Sequence, residues 1–142
     1  MIDKPPAKIL IVTDAWHPQV NGVVRTLGYM RDFLIEKGYE VVMLTPQQFR
    51  TIPCPTYPEI RLSLFPASKV ADIIASVRPD VLHIATEGPL GLAARNYACR
   101  HGLLYTTAYH TRFPVYVASP MRVPLSSTYR FLCWFLVRSH LV

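Results

Sequence analysis

The chain has 142 residues, of which 51% are hydrophobic and 17% are charged. This length suits one domain, and the apolar content is enough for a buried core, which excludes an intrinsically disordered chain. The formal net charge is +6, and a positive field favours anionic partners such as phosphates or anionic lipid head groups. The basic residues are spread singly rather than in a run, which argues against nucleic acid as a partner.

The hydropathy pattern and the first residues bear on the location of the protein. No uninterrupted apolar stretch of about 18 residues occurs, so the sequence predicts no transmembrane helix. Met1 is followed by charged residues and prolines rather than by the apolar region of a secretory signal. We therefore expect a cytoplasmic protein, and peripheral contact with the inner membrane face is an alternative.

The first part of the sequence predicts a strand–helix–strand unit. Lys8–Thr13 is a short apolar run rich in β-branched residues, which is typical of a buried parallel strand. Apolar residues then recur at helical spacing over 23–34, and Gly38 stands where a helix C-terminal glycine belongs. Glu40–Leu44 is the next predicted strand, so the unit fits a right-handed parallel crossover.

The second part of the sequence continues the alternation after an irregular segment. Four prolines, Pro46, Pro53, Pro55 and Pro58, predict that most of this segment lacks regular structure. The predicted elements that follow are a strand over Ile60–Leu64, a helix with Ser68 as N-cap that ends at Arg78–Asp80, a strand over Val81–Ile84, a helix over Leu90–His101 capped by Gly102, a strand over Leu104–Ala108, a loop over Tyr109–Pro120, and a helix from Ser126 or Ser127 to Val137. This order predicts an α/β fold, a Rossmann-like open parallel sheet with helices on both faces.

Ligands of open α/β sheets bind outside the carboxyl ends of the strands. This rule selects the loop Asp14–Gly22, in which Asn21 and Gly22 precede a helix. Free N–H groups and the helix dipole at that position favour a phosphate, and simple turn or capping chemistry is the alternative. The rule also selects the loop after residue 84, where Glu87 either accepts hydrogen bonds from hydroxyl groups or is an exposed acid near the next helix.

A third loop, Tyr109–Pro120, contains His110 and Arg112. A histidine can donate or accept a hydrogen bond near neutral pH, and an arginine suits phosphate or carboxylate recognition. A purely structural histidine is the alternative. No histidines and acids show metal-ligand spacing, so no metal site is predicted. The absence of G-x-G-x-x-G argues against a dinucleotide-dependent enzyme.

The three cysteines, Cys54, Cys99 and Cys133, are widely spaced and form no C-x-x-C pair. This spacing indicates small buried or half-buried thiols rather than a zinc site or a catalytic thiol.

Three motifs resemble those of family 4 retaining glycosyltransferases, which have the two-domain GT-B fold. The motifs are Ile11–Leu27, Glu87–Gly91 and Tyr109–Pro114, in that order, and the resemblance extends from Lys8 to Arg138. The chain is similar to bacterial α-mannosyltransferases and to glycolipid glucosyl- or sulfoquinovosyltransferases. The resemblance implies a hexosyltransferase that uses a UDP- or GDP-linked sugar with retention, needs no metal, and acts on an acceptor that can be a lipid or lipid-linked.

The resemblance also implies roles for individual residues. His110 matches the catalytic histidine near the reacting centre, and Asn21, Gly22 and Val23 match the loop that approaches the donor diphosphate. The implied acceptor-side residues are Asp14, Trp16, Glu87 and Arg112. The donor phosphate would help to remove the acceptor proton, so positioning and charge stabilisation would supply most of the rate.

The sequence departs from the family pattern in two respects. Val115 stands where relatives carry an acid after the His-Thr-Arg-Phe-Pro run, and no counterpart occurs of the second domain with its basic pair and spaced glutamates. We therefore expect residues 1–142 to form an incomplete N-terminal domain, the truncated acceptor-side half of a GT-B fold without its C-terminal donor-binding domain. Such a half is expected to be inactive alone.

The C-terminal segment supports an alternative, a non-catalytic remnant that binds a membrane surface or a partner. Its basic and aromatic residues are Arg122, Arg130, Trp134, Phe135 and Arg138. Residues of these two kinds can hold a helix at an anionic interface. A helix that faces the core and is left uncovered is the other interpretation.

Overall fold

The structure is a computed structural model that describes residues 7–17, 22–54 and 57–107. In chain order its elements are β1 (Lys8–Val12), α1 (Gly22–Glu36), β2 (Glu40–Leu44), a 3-10 turn (Pro46–Gln48), β3 (Thr51–Cys54), β4 (Tyr57–Ser63), α2 (Ala67–Val77), β5 (Val81–Ile84), α3 (Pro89–His101) and β6 (Tyr105–Thr107). Four of the strands form a parallel sheet in the order β2-β1-β5-β6. The other two, β3 and β4, form a separate antiparallel hairpin.

Side chains of β1 alternate between two cores, because successive residues of a strand point to opposite faces of the sheet. Leu10 and Val12 pack with residues of α2 and α3, whereas Ile9 and Ile11 pack with residues of α1. The predicted buried stripe of α2 is also observed, with Val70 and Ile74 fully buried and Ile73 and Val77 packed against them. The described elements thus confirm the predicted Rossmann-like α/β fold, a parallel sheet with helices on both faces.

Glycines end two of the helices as predicted. Gly38 has φ +93°, its N–H donates to Ile35, and the N–H of Tyr39 donates to Leu34, each over 3.0 Å. This pair of bonds forms a Schellman motif, which requires a left-handed residue that glycine adopts without strain. Gly102 ends α3 in the same conformation, with φ +65° and its N–H bonded to Ala98.

The predicted start of α2 was wrong by two residues. Pro66 is the N-cap, and its carbonyl oxygen accepts the N–H of Val70 at 2.9 Å. Ser68 therefore lies within the first helical turn, where it is exposed. The proline conformation already suits a helix start, so no side-chain cap is needed there.

The segment after β2 is more regular than its prolines predicted. Pro46 opens the 3-10 turn, and Pro53 lies in β3 opposite Arg61, next to an irregularity of the register. A strand of a two-stranded sheet has one edge without a partner, so the missing N–H of a proline need not interrupt the ladder. The strand predicted over Ile60–Leu64 ends at Ser63, and it pairs with β3 rather than with the parallel sheet.

The strand order reverses at β1, which has β2 on one side and β5 on the other. The chain leaves β1 into α1, which packs on one face, and leaves β5 into α3, which packs on the other. Crevices of this kind, at the carboxyl ends of the strands, are where doubly wound sheets bind ligands. The loops after β1 and β5 therefore position the candidate site.

Two predicted elements, the loop Tyr109–Pro120 and the helix that ends at Val137, lie outside the described residues. Of the helices that the structure does describe, none combines the length and the apolar character needed to cross a bilayer.

Candidate active site

Asp14 joins the loop after β1 to the start of α3. Its side chain is only 7% exposed. The carboxylate accepts the hydroxyl of Thr86 at 2.7 Å, the N–H of Leu90 at 2.8 Å and the N–H of Gly91 at 3.3 Å. The N–H of Asp14 in turn donates to the Thr86 hydroxyl at 2.7 Å. These bonds hold the two loops of the switch point together.

The carboxylate of Asp14 acts as a cap for α3. The N-cap residue of this helix is Gly88, which has no side chain to offer, and Pro89 follows it. The first N–H groups of a helix have no partner within the helix, and a negative charge beside them is stabilised by the helix dipole. Asp14, from a distant part of the chain, thus supplies the hydrogen-bond acceptor that the side chain of the N-cap residue normally provides.

Two glycines make this approach of Asp14 and α3 sterically feasible. A Cβ atom on Gly88 would lie 2.4 Å from Cγ of Asp14, and a Cβ atom on Gly91 would lie 1.8 Å from the carbonyl oxygen of Thr86. Both distances are far inside van der Waals contact, so no larger residue fits without displacement of the loop or the helix. The glycines of the Glu87–Gly91 motif therefore serve packing.

Glu87 is a buried acid with a free oxygen. The residue is 4% exposed, and its Oε1 has no hydrogen-bond partner among the described residues. Burial raises the pKa of Glu87 to about 7, the backbone N–H of Glu87 opposes this rise, and the nearby charge of Asp14 adds to it. Such a group can donate or accept a hydrogen bond near neutral pH. The interpretation of Glu87 as an exposed loop acid was wrong.

Asp14 is an acid of a different kind. Burial raises the pKa of its carboxyl group, and the hydrogen bonds from Thr86, Leu90 and Gly91 oppose that rise. Both of its oxygens are bound by donors of the protein itself. Its contact with an acceptor therefore stays a prediction, and the observed role of its side chain is to position α3.

The start of α1 differs from the start of α3. The helix begins at Gly22, and its first turn contains no acidic residue. A Cβ atom added at Gly22 would meet no atom of the described residues within 4 Å, so packing against this part of the chain does not require a glycine there. Val23 is buried in the core under α1. Asn21 lies outside the described residues, and the diphosphate role of all three residues stays a prediction.

Trp16 lies in the core beneath α1. Its ring packs with Val23 and Leu27 in this core, and the guanidinium carbon of Arg31 lies 5.4 Å from its centroid. The predicted acceptor role of Trp16 is not tested by these contacts. His110, Arg112 and Val115 lie outside the described residues.

Sequence reasoning missed Thr86 as a residue of the site. Its hydroxyl accepts from the main chain of Asp14 and donates to the carboxylate. A hydroxyl residue just past the end of a buried strand, followed by an acid and a glycine, is the signal that would have indicated it.

His83 has a structural partner, since its Nδ1 lies 2.8 Å from Oγ1 of Thr106 across β5 and β6.

Cys54 and Cys99 are half-buried, as predicted for these two thiols. Within residues 7–17, 22–54 and 57–107, no three His, Cys, Asp or Glu side chains are placed to hold a metal ion. The metal independence of the reaction stays a prediction.

Comparison with known proteins agrees with the motifs. The profile of Glycosyltransferase Family 4 matches residues 20–142. The chain is 28% identical to sulfoquinovosyl transferase SQD2 of Arabidopsis thaliana, over 92% of this chain and 29% of that protein. It is 24% identical to a GDP-mannose-dependent alpha-mannosyltransferase of Mycobacterium tuberculosis (strain CDC 1551 / Oshkosh), over 84% of this chain and 36% of that protein.

A third relative is an alpha-monoglucosyldiacylglycerol synthase of Streptococcus pneumoniae (strain ATCC BAA-255 / R6), 26% identical over 78% of this chain and 28% of that protein. The chain thus spans between 28% and 36% of the length of these curated relatives. No solved structure shows significant similarity to it. Since the family profile covers most of its length, the chain belongs to glycosyltransferase family 4.

Proposed function

We propose that this chain is the acceptor-side part of a retaining glycosyltransferase, which transfers a hexose from a nucleotide sugar to a hydroxyl group. The observation that carries this proposal is the buried Oε1 of Glu87, which lies at the switch point of the sheet and has no hydrogen-bond partner among the described residues. A buried polar atom without a partner is unfavourable. A hydroxyl group of the acceptor would supply the missing hydrogen bond and would be oriented by it.

In this proposal the donor diphosphate lies at the start of α1, against Asn21, Gly22 and Val23. The absence of an acid in the first turn of α1 and the open space beside Gly22 support this placement. N–H groups at a helix start stabilise an anion, and they would stabilise the leaving diphosphate most strongly as its charge develops. The donor would be UDP- or GDP-linked, and no metal ion would be required.

The transfer step would proceed on one face of the donor sugar. The bond from the anomeric carbon to the diphosphate breaks, the acceptor oxygen forms the new bond on the same face, and the diphosphate takes the acceptor proton. Glu87 would orient the acceptor hydroxyl, and by resemblance His110 would lie near the reacting sugar and Arg112 on the acceptor side. Positioning of the two substrates would supply much of the rate enhancement.

The acceptor is proposed to be a lipid or a lipid-linked sugar. The name of one relative, alpha-monoglucosyldiacylglycerol synthase, describes a glycolipid product. The formal net charge of +6 also suits an anionic membrane surface. The protein would then act at the cytoplasmic face of a membrane without crossing it.

The relatives are about three times longer than the region matched. We therefore propose that the donor binds mainly to a second Rossmann domain encoded after codon 142, and that residues 1–142 are inactive alone. Reading the DNA beyond that codon is the first test, and a basic pair with spaced glutamates is the expected finding. Turnover of any nucleotide sugar by residues 1–142 alone would contradict the half-domain assignment.

The activity test uses the joined protein with UDP-glucose, GDP-mannose or UDP-sulfoquinovose and with diacylglycerol or glucosyldiacylglycerol as acceptor. Mass spectrometry identifies the product, and NMR determines the anomeric configuration. Glu87→Gln is expected to lower kcat/KM by about 10- to 100-fold, the effect of one lost charged hydrogen bond. Glu36→Gln, an exposed acid at the end of α1, is the matched control. Equal activity of both variants would remove Glu87 from the acceptor site.

A further inference from the structure

A groove beside the β3–β4 hairpin combines exposed apolar and basic side chains. It is lined by Gln47, Gln48, Phe49, Arg50, Leu64, Phe65 and Lys69. These residues are termed the hairpin patch. They lie on the segment between β2 and β3, on the connection from β4 to α2, and in the first turn of α2.

Phe65 is the most exposed apolar residue of the hairpin patch. Its side chain is 95% exposed, next to the partly exposed Leu64. Its φ is +45°, a left-handed conformation that is unfavourable for a bulky residue with a Cβ atom. The fold therefore holds a large apolar side chain in solvent in a strained conformation, which indicates a role outside the core.

The charges of the hairpin patch are all positive. Arg50 is exposed, and Nζ of Lys69 donates to the carbonyl oxygen of Gln48 and lies 5.1 Å from the ring centroid of Phe49. No acidic residue is among the lining residues. Apolar side chains that insert below lipid head groups, with cations at head-group level, are the pattern of an anionic membrane contact.

Another exposed aromatic face is less suited to the same partner. Tyr29 and Phe33 are exposed on α1, but Asp32 and Glu36 are exposed on the same helix. Carboxylates near an anionic surface are repelled, so charge complementarity favours the hairpin patch.

The hairpin patch lies next to the candidate active site. The side-chain amide of Gln47 donates to the carbonyl oxygen of His17 at 3.2 Å. His17 belongs to the loop between Asp14 and α1. A membrane bound at the hairpin patch would therefore be near the loop that contains Asp14 and leads to α1.

We propose that the hairpin patch docks this domain onto an anionic membrane surface, with Phe65 inserted at the level of the acyl chains and Arg50 and Lys69 against lipid phosphates. The inference rests in part on the proposed function, because a lipid acceptor must be reached at the bilayer. It concerns a different surface from the C-terminal basic and aromatic residues.

The test is co-sedimentation of the purified protein with vesicles of phosphatidylcholine, with or without phosphatidylglycerol, in the absence of donor. Phe65→Asn removes the apolar anchor and is compatible with the left-handed backbone, since asparagine tolerates positive φ. Arg50→Gln removes one exposed charge. The matched controls are Leu104→Asn, which alters a residue 70% exposed elsewhere, and Arg100→Gln, which removes an exposed charge from α3.

The wild type is expected to bind vesicles that contain phosphatidylglycerol. Phe65→Asn should lower partitioning by about tenfold or more, from the lost burial of an aromatic side chain. Arg50→Gln should lower it by about fivefold at low salt, and high salt should remove that difference. The two control variants should bind like the wild type, and no variant should have an unfolding midpoint below that of the wild type.

Absence of vesicle binding by the wild type, or equal binding of wild type and Phe65→Asn, would overturn the docking proposal. Sugar transfer to an acceptor dispersed in detergent separates the two proposals. Transfer without vesicle binding would overturn the docking alone, and Phe65-dependent vesicle binding without transfer would retain the docking and contradict the proposed function.

Discussion

Two helices begin at the same edge of the sheet after glycine-containing loops, but their first turns are used differently. At the start of α3, the N–H groups of Leu90 and Gly91 are bound by the carboxylate of Asp14. At the start of α1, the first turn has no acid, and the space beside Gly22 is open. One helix start therefore holds the fold together, and the other offers room for an anion. Two helix starts that each contain a glycine thus differ in what lies beside them among the described residues.

The largest effect is expected from Gly91→Ala. The added methyl group would lie 1.8 Å from a backbone carbonyl oxygen of Thr86, which cannot rotate away as a side chain can. The free energy of unfolding should fall by at least about 3 kcal/mol, measured by urea denaturation. Gly28→Ala is the control, because its methyl group would meet nothing within 4 Å; it should stabilise α1 by up to about 1 kcal/mol. A wild-type midpoint for Gly91→Ala would refute the packing role.

Asp14→Ala removes the distant cap of α3 and should rank second. Two main-chain N–H groups and one hydroxyl lose their acceptor, so we expect a loss of about 2 to 3 kcal/mol in the free energy of unfolding. Asp14→Asn keeps one acceptor oxygen and should lose less. Asp72→Ala, at an exposed acid of α2, should change stability by less than about 0.5 kcal/mol. Equal losses at Asp14 and Asp72 would remove the capping role.

Glu87→Gln should alter the pH dependence of stability. The pKa of Glu87 is about 7 in the folded protein against 4.5 for the free side chain, so between these values the folded state binds more protons than the unfolded state. Stability associated with Glu87 is complete below pH 4.5 and falls as pH rises to about 7. Between about pH 5.5 and 7 the decrease is about 2 kcal/mol, and Glu87→Gln should abolish it. Parallel pH profiles of wild type and variant would contradict a buried Glu87.

The smallest change in stability is expected for Gly22→Ala, within about 0.5 kcal/mol, because the methyl group meets no neighbour. If the start of α1 binds the donor diphosphate, the same methyl group should obstruct the close approach and raise KM for the nucleotide sugar by about tenfold. Gly28→Ala in the same helix should leave KM unchanged. An unchanged KM for Gly22→Ala would mean that the open start of α1 is not the donor site.

The parallel sheet could be predicted because its signals are local. The apolar run of β1 and the glycines at 38 and 102 depend on a few neighbouring residues, and all were observed. The β3–β4 hairpin could not be predicted from its prolines. A proline has no N–H for a neighbouring strand, but the sequence does not show that β3 has one edge where no such bond is needed. The loops that form the site could be predicted from the order of strands and helices alone. The capping of α3 by Asp14 could not be predicted, because no sequence pattern shows which distant backbone groups a carboxylate will contact.

The bonds of the Asp14 carboxylate also have a consequence for synthesis. They join it to residues 72, 76 and 77 positions later in the chain. At about 5–20 residues per second, those partners are made roughly 4 to 15 s after Asp14 itself. Until then the acid is ionised and hydrated on a nascent β1–α1–β2 unit, and its desolvation can occur only when β5 and α3 arrive. The candidate active site is thus assembled only after β5 and the start of α3 have been made, more than 70 residues after Asp14.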